Sequence, residues 1–305
     1  MVRDNENVTG VVLMYHRVSA LQEDAYGLAV QPRHFAEHVE HLTRLGCVVP
    51  LAEMLHPNRA LKIAITFDDG YADNAAAAAL LAQAGLPATY FITTGRLGGQ
   101  PFWWDRLAAA LLGAHPLPDG VDVTLGSRDL WLALNDAPAR KVALTFLHRR
   151  LRPLPPAELD ATVVELLGRL DVPKSAGDAL SLTLDGLRRM AALPDVEIGA
   201  HTRTHLQLAG QTEALQREEV LGSVSDLRSL LGQPVTSFAY PFGTRRAVGE
   251  LAPRLVREAG CLLACSTERG VVTERTAPHR LPRLNVRDWN AAELDLQISR
   301  LDPRG

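Results

Sequence analysis

The stretch Lys62-Ile63-Ala64-Ile65-Thr66-Phe67-Asp68-Asp69-Gly70 is an apolar run that ends on two carboxylates and a glycine. A short run of this kind, bounded by a turn signal, reads as a buried strand over residues 62–67. Polar residues just past a strand end are where parallel α/β proteins keep their chemistry, because the loops at that rim converge. The pattern repeats along the chain. Residues 11–15 are followed by His16, residues 196–200 by His201, and residues 235–239 by Tyr240. Further strands are expected at 47–51, 88–93 and 261–265. Helical patterns lie between, at 32–45, 73–84, 184–193, 212–231 and 246–259. Gly46, Gly85, Gly232 and Gly260 stand just past four of these, where a left-handed cap ends a helix. Strands alternating with helices predict a parallel α/β barrel.

Asp68 and Asp69 give adjacent carboxylates, and His201 and His205 give imidazoles four residues apart. One carboxylate with two imidazoles is a three-ligand set that leaves positions for water and substrate. The other carboxylate can take the proton of that water. These are the parts for metal-assisted hydrolysis. Neighbours on a strand point to opposite faces, so both carboxylates reach one site only if the chain turns, and Gly70 is read as that turn. The histidines would face the same way on one helical turn. An isolated Asp-Asp-Gly would read as a turn before the next helix. The matching His pair downstream favours a site. A second string, His34-Phe35-Ala36-Glu37-His38, has the spacing of inverted zinc proteases. Phe35, Val39, Leu42 and Leu45 mark that helix as core-facing, and no second Glu is recognisable. It is read as a solvated His-rich face.

With Tyr240-Pro241-Phe242-Gly243, these strings resemble the polysaccharide deacetylases, the NodB-homology domain of carbohydrate esterase family 4. The flanks agree: Leu13-Met14-Tyr15-His16-Arg17-Val18, Ala88-Thr89-Tyr90-Phe91 and Phe102-Trp103-Trp104-Asp105. The resemblance covers roughly residues 10–290. It implies a distorted (β/α)7-8 barrel, with Asp68 as base and Asp69, His201 and His205 as metal ligands. The metal would be divalent, zinc first, with cobalt, nickel or iron able to replace it. A backbone N–H near Phe242 would be the oxyanion donor. In many members an Arg opening the third motif orients the catalytic Asp, but Ala239 and Tyr240 stand there. The closing Leu-x-His motif, whose His protonates the leaving amine, is replaced by Ala277-Pro278-His279-Arg280-Leu281-Pro282-Arg283-Leu284. His279 precedes the expected strand, so His16, at a strand end, is the better-placed acid. Tyr71, Trp104, Asp105, Tyr240 and Arg283 are candidates for binding substrate. Arg283 could instead hold an acid.

Of the 305 residues, 47% are hydrophobic, enough to bury one large α/β core. Net charge is −3 and no long basic block occurs, which argues against nucleic acid. No run is long enough for a leader or a membrane span, so a cytoplasmic enzyme of small-molecule or oligosaccharide substrates is expected. Its oligomeric state is not legible. Cys47, Cys261 and Cys265 are too few and odd for a disulfide framework. One domain is expected over 11–300 behind a flexible 1–10, with a helical insertion at about 101–182, where two amphipathic stretches break the rhythm. The expected reaction is hydrolysis of an N-acetyl or similar N-acyl group from an amino sugar. Alternatives are a repurposed deformylase, cyclase or dehydratase of natural-product synthesis, and a binding module without turnover.

Overall fold

The computed structural model describes residues 8–56, 60–126, 128–172 and 181–301. The chain divides into two units, 1–98 with 182–305, and 99–181. Most of residues 1–10 lie outside the described residues, and the first strand already begins at Val8.

In the first unit, the parallel strands of the main sheet are β1 (Val8–Tyr15), β2 (Lys62–Phe67), β3 (Ala88–Ile92), β4 (Val196–Ala200), β5 (Ser237–Ala239), β6 (Leu263–Cys265) and β7 (Leu284–Asn285). β1 to β6 lie side by side in chain order, all parallel. β7 runs parallel to the free edge of β1, pairing Leu13 with Leu284 and Met14 with Asn285. Leu281 bridges to Cys265 at the far edge. The 281–285 stretch therefore joins both edges of the sheet and makes it a distorted barrel. Val272–Thr273 adds a short antiparallel strand to β1.

Helices α1 (Pro32–Leu45), α2 (Asn74–Gln83), α3 (Leu184–Ala191), α4 (Glu213–Leu231), α5 (Arg245–Val248), α6 (Ala252–Glu258) and α7 (Ala291–Ser299) complete this unit. The single helix expected over 246–259 is two, because Gly249 takes φ 73° and Pro253 starts a new first turn. The strand expected at 47–51 is reduced to one bridge from Val48 to Ile63. Pro50 lacks an N–H for the ladder, and Leu51–Leu55 turn into a 3-10 helix.

Alternation along the strands sets what faces the lumen. Val11, Leu13 and Tyr15 of β1, and Ile63, Ile65 and Phe67 of β2, join the core shared with the helices. Val12, Ala64, Phe91, Ala239, Cys265 and Leu281 form a separate inner cluster. Gly199 makes room for it, since a Cβ there would lie 2.5 Å from the Phe91 ring. Period-two geometry then sends His16, Asp68 and His201, the next inward positions of β1, β2 and β4, to one rim.

The second unit holds the helices Trp103–Leu112, Ala137–Leu151 and Pro156–Arg169. It is not purely helical. Gly120–Leu125 and Arg128–Ala133 pair as an antiparallel hairpin. Among the described residues, no helix is long and apolar enough to cross a membrane.

Candidate active site

Asp68 extends β2 by one ladder bond, its N–H donating to the Tyr15 carbonyl at 3.0 Å. Its carboxylate meets Arg283 end-on: Nη1 donates to Oδ1 and Nη2 to Oδ2, each at 2.7 Å. Arg283 also donates from Nε to the Ser266 carbonyl and from Nη1 to Thr66 Oγ1. Asp68 is 2% exposed and Arg283 not at all. Burial alone would raise the Asp68 carboxyl, but the Arg283 guanidinium, helped by His201, outweighs it and holds the group below its ordinary value. Asp68 is thus an ionised acceptor locked in one orientation. The Arg283 side chain, expected at the substrate, turns to Asp68, Thr66 and Ser266. From the barrel-closing stretch, it orients the Asp68 carboxylate, the task that the resemblance gives to an Arg at the third motif.

Asp69 faces the same site because it takes φ 74° itself. The turn therefore begins one residue earlier than expected, at Asp69, and Gly70 continues it at φ 84°. Asp is among the side chains that tolerate this region. The Asp69 carbonyl accepts from Thr93 N–H, which anchors the turn to the end of β3.

His201 continues β4, with its N–H on the Ile92 carbonyl. Its Nδ1 lies 2.7 Å from the Ala239 carbonyl and so carries the proton, leaving the Nε2 lone pair toward Asp69 Oδ1 at 3.4 Å. His205 Nε2 lies 3.2 Å from the same oxygen. The expected helical turn between the two is absent. Residues 201–208 are a loop in which Thr202 and His205 both take φ 63°. Glu219 on α4 holds this loop. Its Oε2 accepts the N–H groups of Arg203 and Thr204, and its Oε1 accepts the Thr204 hydroxyl. Arg203 makes a two-pronged bond to Asp226, which also accepts from Thr94 Oγ1. Sequence reasoning missed Glu219. Its signal was an acid on the buried face of α4, between Gln216 and Ser223.

The donor atoms of Asp69, His201 and His205 all lie within 4.8 Å of one another. Asp69 Oδ1 is buried, with no hydrogen-bond partner among the described residues. A buried acceptor oxygen converging with two imidazoles is costly to leave alone, and a divalent cation among them removes the cost. The residues fit a metal.

His16 lies within electrostatic reach of Asp68, Asp69, Arg283 and His201. Its Nδ1 is buried with no hydrogen-bond partner among the described residues. His279 is elsewhere: its Nε2 sits 3.0 Å from the Cys261 carbonyl, ahead of β6 and at the opposite strand ends. Phe242 takes φ 59°, and its ring stands edge-on to His205 at 4.8 Å, so its backbone flanks the cluster.

Three of the residues expected to bind substrate are buried among protein groups. Tyr240 is fully buried and its hydroxyl donates to the His279 carbonyl. Tyr71 is fully buried, with the Arg17 guanidinium over its ring at 4.6 Å. Trp104, in the second unit, is 3% exposed and stacks on Phe102. Asp105 lies in the first turn of the helix Trp103–Leu112 of the same unit.

A family profile described as polysaccharide deacetylase matches residues 56–116 and 134–260, more than half of the chain. The chain belongs to the polysaccharide deacetylase family. That family is one of hydrolases that deacetylate polysaccharide-type substrates. The matched segments contain Asp68, Asp69, His201 and His205 but stop short of Arg283. Solved structures share the fold. A Streptococcus pyogenes deacetylase in complex with acetate aligns with TM-score 0.62 and 17% identity over 97% of this chain and 100% of its own. A Bacillus cereus polysaccharide deacetylase gives 0.60 and 18% over 95% and 68%. IcaB from Ammonifex degensii gives 0.55 and 18% over 92% and 93%. None of the curated proteins matches the chain.

Proposed function

We propose that the protein is a metal-dependent deacetylase that hydrolyses an N-acetyl, or similar N-acyl, group of an amino sugar or sugar-containing precursor. The observation that carries this is the division of labour between adjacent carboxylates. Asp69 converges with two imidazoles, while Asp68, one residue away, is held by Arg283.

Asp69, His201 and His205 would hold the metal, zinc first, which supplies Lewis acidity to activate water and to polarise the acyl carbonyl. Asp68 accepts the proton of the attacking water, its orientation fixed by Arg283. The backbone N–H at Phe242 donates to the developing oxyanion, a kind of contact worth about 2.7–4 kcal/mol in other hydrolases. His16 gives a proton to the leaving amine. The C–N bond breaks, water's OH stays on the acyl carbon, and acetate and a free amine leave. His16 suits the role by its place: it ends β1 beside Asp68, and its buried Nδ1 has no hydrogen-bond partner among the described residues.

The test is acetate release from a panel of N-acetylated sugars, with the free amine measured in parallel. Equal amounts of both are expected. The lack of the family's Leu-x-His acid favours one rival, a repurposed deformylase, cyclase or dehydratase. A protein that binds metal yet releases no acetate from the panel would support that rival.

A further inference from the structure

The barrel-closing stretch places a further polar side chain at the rim. Leu281 belongs to the inner cluster, Leu284 and Val286 to the core shared with the helices. Arg283 points inward to Asp68 and Thr66. The alternation makes Asn285 the next inward residue, one step nearer the C-terminal rim than Arg283. Its register partner is Met14, two residues before His16. Asn285 thus stands beside the strand that delivers the proposed acid, on the side of the barrel away from His201 on β4.

Asn285 is half-buried, and its Oδ1 is buried with no hydrogen-bond partner among the described residues. Arg283 does not donate to it: Nε goes to Ser266, Nη1 to Thr66 and Asp68, and Nη2 to Asp68. A buried amide left without a partner is costly, and native proteins keep such groups mainly where a ligand or water completes them. His16 Nδ1, on the neighbouring strand, is orphaned too. Two unsatisfied polar atoms on adjacent strands therefore border the leaving-amine side of the Asp68–Arg283 pair.

We propose that Asn285 reads the sugar on that side, its side-chain amide hydrogen-bonding a ring hydroxyl of the substrate; this rests on the amino-sugar reading above. A hydroxyl both donates and accepts, which matches an amide that offers both an oxygen and an NH2. Asn285 is then a specificity residue and takes no part in moving protons.

The experiment compares wild type, Asn285→Ala and Asn285→Thr on an N-acetylglucosamine oligomer and its monodeoxy analogues. Metal content and Tm are measured on the same preparations. For Asn285→Ala, KM is expected to rise about tenfold, the size of one hydrogen bond, with kcat within about threefold and metal content unchanged. Asn285→Thr keeps an acceptor and should recover part of KM. One deoxy analogue should be weakened on wild type by the same factor and no further on Asn285→Ala. An unchanged KM overturns the assignment. So does a fall in kcat with a shifted alkaline limb, which would make Asn285 a support for His16. A loss of metal or Tm in both variants overturns it as well, by making the role structural. Acetate release by wild type scores the functional reading separately. If wild type releases acetate and KM stays put, only the Asn285 assignment falls; if wild type releases none, both fall.

Discussion

Arg283 and Asp68 share two 2.7 Å bonds out of reach of water, so removing either partner leaves a charge stranded. Breaking such a pair costs on the order of 3–5 kcal/mol, much of it the penalty of the group left behind. Arg283→Met is expected to destabilise the protein by about that much in urea unfolding. Arg283→Met with Asp68→Asn should recover most of the loss, because no buried charge remains. Additive losses in the double variant would show that the two side chains are not coupled. The sequence allowed Arg283 to hold an acid but not which one, since residues 68 and 283 meet only through closure of the barrel. The two carboxylates were legible, but not the way they share a site. The turn falls on Asp69, a residue with a Cβ, where the string pointed to Gly70.

The His-Thr-Arg-Thr-His loop depends on α4 for its shape. Glu219 gathers two successive N–H groups and a hydroxyl, and Asp226 fixes the Arg203 between the ligands. Supporting residues of this kind commonly contribute 10–100-fold to metal affinity. Glu219→Ala should weaken cobalt binding by roughly that factor, read from the visible absorption of the bound ion. Glu219→Gln keeps one acceptor oxygen and should fall between. Affinity unchanged in Glu219→Ala would mean that the loop holds its form without α4. Here the spacing of the histidines signalled the site, but for a different reason from the real one. Helical repeat would bring residues four apart together, whereas the loop does it with two left-handed residues, Thr202 and His205. Thr202 is β-branched, so no local propensity announced its geometry.

The histidines of α1 tie the start of the first unit to its end. His34 Nδ1 pairs with Asp288, His38 Nε2 meets the Trp289 carbonyl, and His41 Nε2 pairs with Asp295 on α7. The protease-like spacing thus serves packing, and the face expected to be solvated is covered. His38 is fully buried, accepting at Nδ1 from the Tyr15 hydroxyl, and burial pushes its pKa down to about 4. The folded protein therefore keeps His38 neutral where the unfolded chain protonates it, below the ordinary value near 6.5. Unfolding takes up a proton in that window, so this contribution is intact above it and is lost as pH falls from 6.5 toward 4, by roughly 3 kcal/mol. His38→Gln should show a correspondingly flatter loss of stability over that range in urea unfolding, and an unchanged slope would count against a neutral buried His38. For the whole chain, the alternation of strands and helices and the rim placement of His16, Asp68 and His201 were legible, because period and strand ends are local signals. What stayed hidden was every contact made by long-range closure. The central claim is that Asp69 holds a metal while Asp68 takes a proton. It is tested most directly by stripping the protein of metal, adding zinc back, and measuring bound zinc and acetate release together. Wild type is expected to regain acetate release as it binds one zinc per chain; Asp68→Asn should bind that zinc yet turn over about 10²–10⁴-fold more slowly, the usual share of a positioned base; Asp69→Asn should lose the zinc. Full acetate release by the stripped protein, or zinc loss in Asp68→Asn equal to that in Asp69→Asn, would contradict it.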